Sequence, residues 1–428
     1  MKSSITRRRF LVTAVATLAA PYFIPARALG RDGAVAPSNR IAVGLIGMGD
    51  RGRQHMGSLL NISEAQVVGV CDVFRSRAEA SRDKANQHYN GTVCTAHQDF
   101  RELLARSDLD AVFITSPENW HVVMSIMAMK AGKDVYCEKA LSLTVREGRA
   151  VCDAVRRYGR VFQAGTQQRS DRNFRFACEL ARNGYLGKIH TVTVSVPSGK
   201  RLLKLTPGPV PPDLDYDLWL GPAPFKPYRE NLCSYNWYFL TDYCAGWIQS
   251  WGVHHMDIAL WGVPAFTAGT IEVEGTAEFL PEGDADVSFG WKVKIQPPGG
   301  PLLQFYDDAN SPFGHGVRFE GDKGWVHVVR GGIKAEPKWL LDVAIKPGEE
   351  HLYRSDHHQM NFLECLRTRR EPVAPVEACH AATTATLIAD IATRTGRKLT
   401  WDWQNEQFVN DDTANRMLTR ALRRPWQI

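Results

Sequence analysis

Three places along this chain combine residue types and spacings that can do chemistry. The first is Gly47-Met48-Gly49-Asp50-Arg51-Gly52, preceded by the apolar run Ile41 to Ile46 and followed, 20 residues beyond the last glycine, by Asp72. Strand, glycines, helix and a second apolar run ending in an acid form the mechanical set of a dinucleotide site. In that set Gly47 permits the tight turn, Gly49 lets the backbone approach a pyrophosphate, and Gly52 allows close helix packing, with the helix N-terminal amides facing the anion. Asp72 is expected to accept hydrogen bonds from an adenosine ribose. A carboxylate there repels a 2′-phosphate, which favours NAD over NADP, with Arg75 and Arg77 near enough to soften the discrimination. The second place is Lys139, after Glu138, at the end of an apolar run. Beside an oxidised, cationic nicotinamide, repulsion and burial disfavour an ammonium, so a lysine there can act as a base. The third is His254 with Asp257, three residues apart on one predicted helical face, where the acid can orient an imidazole or meet a substrate hydroxyl.

Only a frame that gathers distant segments can bring these residues together. Between Ile41 and Ala164, the short apolar runs Ile41 to Ile46, Val67 to Cys71, Ala111 to Thr115, Val135 to Cys137 and Val161 to Ala164 alternate with helical patterns. Such runs predict buried parallel strands. His121 to Ala131 and Val145 to Tyr158 read as crossover helices ending at Gly132 and Gly159. Right-handed crossovers then align the strand ends along one edge, where Gly47, Asp72, Ser116 and Lys139 converge. Beyond a helix at about Asn173 to Asn183, Ile189 to Val196, Val287 to Gln296 and Trp325 to Val329 alternate with period two. In the second of these, Val287, Phe289, Trp291, Val293 and Ile295 share one face, and Lys292, Lys294 and Gln296 the other. The stretch from Pro197 to Thr241 is rich in proline and aromatics and reads as a long functional loop. Its Trp219, Tyr228, Tyr235, Trp237 and Tyr238 either form a carbohydrate-stacking wall or staple the loop by packing on one another. A helical stretch from His357 to Thr395 is expected to return to the first domain.

The expected fold is an α/β N-terminal Rossmann domain, a doubly wound parallel sheet, followed by an α+β domain with a mostly antiparallel open sheet. The expected boundaries are a signal over 1–28, a linker over 29–39, a dinucleotide domain over 40–165, a substrate and oligomerisation domain over 166–356, and C-terminal helices with a tail over 357–428. Thr6-Arg7-Arg8-Arg9-Phe10-Leu11, a short apolar stretch and Ala26-Arg27-Ala28 together resemble a twin-arginine export signal. The apolar stretch is shorter than the roughly 20 residues of a membrane span, so a periplasmic or exported protein is expected, membrane-associated if the signal is retained. The formal charge of +6 falls to +1 without the five basic residues of 1–28. That leaves no general field for nucleic acid, and no nucleic-acid module is recognisable. Nine cysteines lie at irregular spacings without a C-x-x-C pair, which argues against a disulfide framework. His254, His255, His357 and His358 lack a recognised ligand spacing, and no metal is expected.

Read with the opening glycines, the ordered series Ser116-Pro117, His121, Tyr136-Cys137-Glu138-Lys139, Ala164-Gly165-Thr166-Gln167-Gln168-Arg169 and Trp251-Gly252-Val253-His254-His255-Met256-Asp257 resembles the Gfo/Idh/MocA oxidoreductase family. The resemblance implies a pyridine-nucleotide enzyme acting on a sugar, glycoside or cyclitol hydroxyl, with Lys139 catalytic and His254 and Asp257 as further candidates. Around the cofactor it implies Gly47, Met48, Gly49, Asp50, Arg51, Gly52, Asp72, Ser116, Pro117, His121, Glu138, Lys139 and Gln167. Two residues depart from the family pattern. Ala140 stands where a proline usually follows the lysine, and Ser250 stands where an aspartate usually precedes the histidine by four.

An exported hydride enzyme has no free nucleotide pool, so its NAD is expected to be tightly bound. The expected activities are net oxidation of a sugar hydroxyl or, as the alternative, redox-neutral glycoside cleavage by oxidation, elimination and re-reduction. A non-catalytic, nucleotide-bound sugar-binding protein is the remote third. Expected partners are a small carbohydrate or glycoside, the twin-arginine export machinery, and further copies of the chain in a dimer or tetramer.

Overall fold

The computed structural model describes residues 35–36, 39–199 and 204–428; the signal and most of the linker lie outside the described residues. The first layer alternates β1 (Ile41–Ile46), α1 (Asp50–Leu59), β2 (Ala65–Cys71), α2 (Arg75–Tyr89), β3 (Thr95–His97), α3 (Phe100–Leu104), β4 (Ala111–Ile114), α4 (Glu118–Lys130), β5 (Asp134–Cys137), α5 (Val145–Tyr158) and β6 (Phe162–Ala164). Its strands pair in parallel in the order β3-β2-β1-β4-β5-β6, a doubly wound sheet. The apolar runs become strands because helices cover both faces, so the residues of β4 and β5 are buried without alternation. Gly159 ends α5 in the left-handed conformation, where glycine carries no Cβ penalty.

After α6 (Arg172–Arg182) comes β7 (Ile189–Val196), followed by α7 (Tyr216–Leu220), α8 (Trp247–Ser250) and α9 (Gly252–Gly262). The second sheet continues with β8 (Thr270–Glu278), β9 (Gly290–Gln296), β10 (Leu302–Asp307), β11 (Gly316–Gly321), β12 (Gly324–Val329) and β13 (Gly332–Glu336). The chain closes with α10 (His358–Thr368), α11 (Val376–Thr395), β14 (Leu399–Asp402), β15 (Gln407–Phe408) and α12 (Asp412–Arg416). Nine strands pair in the order β13-β12-β11-β7-β10-β9-β8-β14-β15, antiparallel except for β7 with β10. Trp291, Val293 and Ile295 of β9 are buried while Lys292 and Lys294 are exposed. Helices α6, α9 and α11 pack on the sheet. The expected helix over His357 to Thr395 is two helices, since Pro372 and Pro375 fall at the break. Phe362 of α10 packs edge-on against Phe113 and Tyr136 of the first sheet, whereas the β14–β15 hairpin extends the second.

Candidate functional site

The glycine loop is built by three different constraints. Gly47 has φ +91, and a Cβ there would lie 2.8 Å from the Ser116 amide nitrogen. A Cβ on Gly52 would lie 1.9 Å from the Gly47 carbonyl oxygen, so close packing of α1 on the loop demands glycine. At Gly49 no atom stands within 4 Å of such a Cβ, and no side chain caps the helix it opens. An open cradle at an uncapped helix N-terminus suits an anion. Met48 is fully buried, and its amide donates to Asp72 Oδ2 at 2.6 Å, while Phe74 N donates to Oδ1 at 2.8 Å. Asp72 thus borders the cleft and also ties the glycine loop to the end of β2; burial raises its pKa. Arg77 lines the cleft, 4.0 Å over the Phe74 ring, while Arg75 is not among the lining residues.

At the ends of β4 and β5, Ser116, Pro117, Glu138 and Lys139 face the same cleft. Glu138 Oε1 accepts from Arg51 Nε at 2.7 Å, from Gln167 Nε2 at 3.0 Å, and meets His55 Nε2 at 2.8 Å. These partners overcome burial and hold the carboxyl well below the usual range. The Lys139–Ala140 peptide is cis. Lys139 Nζ donates to the Ser250 carbonyl oxygen and to Ser250 Oγ, each at 2.9 Å. The residue that departs from the family's aspartate therefore still receives the lysine, without countering its charge. His121 was expected against the cofactor; it is instead buried behind the wall, with Nδ1 2.6 Å from the Ala140 carbonyl and Nε2 3.0 Å from the Ser116 carbonyl. It joins the two loops that carry Ser116 and Lys139.

From the second domain, His254 and Trp251 at the start of α9 and Arg330 beyond β12 enter the cleft. Burial, Lys139 and Arg330 push His254 well below its ordinary pKa, so it is a neutral imidazole near pH 7, and its Nδ1 has no hydrogen-bond partner. Asp257 is a correction. Its carboxylate receives Arg169 Nε at 2.7 Å and Nη2 at 2.8 Å, a buried two-pronged pair, and it does not line the cleft. The helix carries His254 and Asp257 toward different surroundings because the acid meets Arg169, whose guanidinium also lies over the Trp261 ring of the same helix. His255 is structural, with Nδ1 2.8 Å from the Ser195 carbonyl.

The long aromatic stretch packs partly on itself and partly lines the cleft. Tyr216, Trp219, Leu220 and Tyr243 form a small core of their own, while Tyr235, Trp237 and Tyr238 line the cleft, the last two stacked at 3.8 Å. The segment straps across the first domain. Phe74 and Leu214 form an antiparallel bridge, Arg75 N donates to Asp213 O, and Asp215 N to Val73 O. Trp120 Nε1 donates to Leu218 O, Asn119 Nδ2 to Leu220 O, and Tyr235 OH to Asp50 Oδ2 at 2.8 Å. The cleft is about 720 Å³ and runs from Phe74 and Arg77 past Gly49 to Lys139 and His254. Its length and anion cradle fit a dinucleotide, with the strand-end groups at the reactive end. Glu118, Trp251 and Arg330 also line it. Sequence reasoning did not single out Glu118 or Arg330, which carry no motif spacing. Among the described residues no group of three histidines, cysteines or acids is placed to hold a metal.

Comparison with known proteins agrees with this architecture. Residues 41–166 match the model of an oxidoreductase family's NAD-binding Rossmann fold, and residues 180–428 match the C-terminal α/β domain of the Gfo/Idh/MocA oxidoreductases. A myo-inositol 2-dehydrogenase of Thermotoga maritima is 30% identical over 174 residues, 41% of this chain and 47% of that protein. A glycosyl hydrolase family 109 protein of Shewanella sp. is 33% identical over 129 residues, 29% of this chain and 28% of that protein. The chain spans about half the length of the first curated relatives it matches. The WlbA dehydrogenase from Bordetella pertussis, solved with NADH and UDP-GlcNAcA, shares the fold at TM-score 0.63 and 17% identity, over 84% of this chain and 98% of that one.

Proposed function

Because the chain belongs to the Gfo/Idh/MocA oxidoreductase family, we propose that it oxidises a hydroxyl of a sugar, glycoside or cyclitol with a tightly held NAD. The observation that carries this reading is one cleft joining the open Gly49 cradle to Lys139 and His254. A nicotinamide held in this cleft would supply the acceptor for the hydride of the carbinol carbon. Lys139 Nζ, fixed by Ser250, meets the substrate hydroxyl and takes its proton or holds it during transfer. His254, a neutral imidazole lining the cleft beside Lys139, is the neighbouring group placed to hydrogen-bond the substrate. Trp237 and Tyr238 supply flat apolar faces against the sugar ring and keep water from the reacting carbon. Asp72, although engaged with two amides, keeps lone pairs toward the cleft and favours the unphosphorylated ribose of NAD.

The strap favours a second reading, redox-neutral glycoside cleavage. A cofactor that cannot leave must return to its starting state in each cycle. Oxidation of a ring hydroxyl would acidify the adjacent C–H; a base such as His254 or Lys139 would remove that proton as the aglycone leaves, water would add to the resulting enone, and a retained nicotinamide would supply the hydride that restores the hydroxyl. The twin-arginine-like leader supports a periplasmic site of action, with the folded, nucleotide-loaded protein as cargo of that export machinery. A dimer or tetramer formed through the open sheet fits the polar face of β9.

One experiment separates these readings. Purified protein is given aryl glycosides and free sugars without added nucleotide, while nicotinamide absorbance and aglycone release are followed. Oxidation alone forms ketone and reduced nucleotide; cleavage releases aglycone with no net reduction. Lys139→Met is expected to lower either rate by about 10²-fold or more with nucleotide still bound. Wild-type protein that holds no pyridine nucleotide, or a fully active Lys139→Met, would sink the proposal.

A further inference from the structure

Three cations face the reactive end of the cleft, and they are partnered differently. Arg51 is paired with Glu138, and Lys139 donates twice to Ser250. Arg330, at the turn between β12 and β13, makes no hydrogen bond or ion pair with any described residue; its guanidinium carbon lies 4.6 Å from the centre of the Trp251 ring. Trp251 directly precedes the helix bearing His254, and both line the cleft with Lys139 and Arg330. Arg330 keeps an exposed side while lining the cleft, and its surroundings, Arg51 among them, disfavour its charge more than Glu138 supports it. A guanidinium held over an aromatic face, with its donors directed to no protein acceptor, is a seat for an anion.

We propose that Arg330 receives a carboxylate of the substrate, so that the substrate is a sugar acid or the glycoside of one. One unneutralised guanidinium balances one negative charge, and its planar fork matches a carboxylate, whereas a phosphate dianion calls for a second free cation. Lys139 is not that second cation, because the proposed chemistry sets it on the reacting hydroxyl. The seat would also orient the ring: a carboxylate held at the Arg330 fork would leave neighbouring ring hydroxyls within the cleft that Lys139 and His254 line.

The inference rests on the sugar-oxidoreductase reading, and its test does not require turnover. Binding of glucuronate, galacturonate, glucose, galactose and glucose 6-phosphate is measured by calorimetry on wild-type protein, Arg330→Met and Arg330→Lys, with bound nucleotide quantified after heat release. At least one uronate is expected to bind the wild type about tenfold or more tighter than its neutral hexose. Arg330→Met is expected to bring that ratio near one with nucleotide content unaffected, and Arg330→Lys to keep part of it. The proposal is overturned by a wild type without preference for either uronate, by a preference that survives in Arg330→Met, or by tightest binding of glucose 6-phosphate. Loss of nucleotide from Arg330→Met overturns it too, assigning the arginine to the cofactor. Failure of the underlying oxidoreductase reading shows separately, as wild-type protein without nucleotide.

Discussion

Gly49 and Gly52 stand three residues apart and are glycines for different physical reasons, which makes them separable by substitution. A methyl at Gly52 meets the Gly47 carbonyl at 1.9 Å, backbone against backbone, and neither side can yield without lifting α1 off the loop. Gly52→Ala is expected to lose about 3 kcal/mol of stability or more, read as a lowered melting temperature of the nucleotide-free protein. A methyl at Gly49 meets no protein atom and occupies the cradle. Gly49→Ala is therefore expected to melt within a degree or so of wild type yet bind NAD about tenfold or more weakly by fluorescence titration. Equal melting of the two variants would contradict the packing argument. Ser250 illustrates a different point at this scale: a serine loses the aspartate's charge but keeps an oxygen within 2.9 Å of Lys139 Nζ, and its own carbonyl adds a second acceptor.

Among the elements, the strap between β7 and α8 lines the cleft and ties it to the first domain. It is anchored at one end by the bridge of Leu214 to Phe74 and by the helix-borne Asn119 and Trp120, and its own core of Tyr216, Trp219 and Tyr243 stiffens it. Toward the cradle, the phenol of Tyr235 reaches Asp50 at the start of α1, and both side chains are exposed. That exposed contact fastens the strap beside the Gly49 cradle. Tyr235→Phe removes about 1 kcal/mol, so release of bound NADH, followed by fluorescence after dilution into excess NAD, is expected to quicken several-fold. An unchanged rate would mean that the strap opens elsewhere.

Across the whole molecule, the two sheets are joined by groups whose protonation differs between folded and unfolded chains. His358 of α10 meets the Ala164 carbonyl through Nε2 at 2.9 Å and Ser170 Oγ through Nδ1 at 2.8 Å, an arrangement that suits the neutral ring, and burial lowers its pKa to about 4. Glu406, beside the β14–β15 hairpin, is held at about 2 against burial by His380 and by Arg149 of α5. Both folded values lie below the ordinary ones, so the folded chain takes up these protons less readily. The His358 contribution is complete above pH about 6.5 and is lost as pH falls toward 4, a change of about 3 kcal/mol. The Glu406 contribution is complete above pH about 4.5 and is lost below it. Urea melts from pH 7.5 to 3.5 are expected to show stability falling from about pH 6.5 downward, with the first part of the fall reduced in His358→Gln. A flat profile down to pH 4 would refute the linkage.

The sequence by itself determined the parallel sheet, its helices and the glycine loop, because each rests on local rules: buried runs of one period, capping glycines, and a fingerprint whose acid lies a fixed distance away. It missed β3 and several strands of the second sheet, which are short or only half buried and gain their shape from neighbours far along the chain. It brought Gly49, Glu138, Lys139 and His254 to one cleft through topology and family pattern, but it could not say which way a side chain points on a helix whose whole surface is buried. Hence Asp257 was expected beside His254 and is found against Arg169, and His121 was expected at the cofactor and is found behind the wall. Arg330 was invisible for a different reason. Its significance is a missing partner, and whether a charge is neutralised is decided only when segments about 190 residues apart, such as Lys139 and the β12–β13 turn, close on a common space.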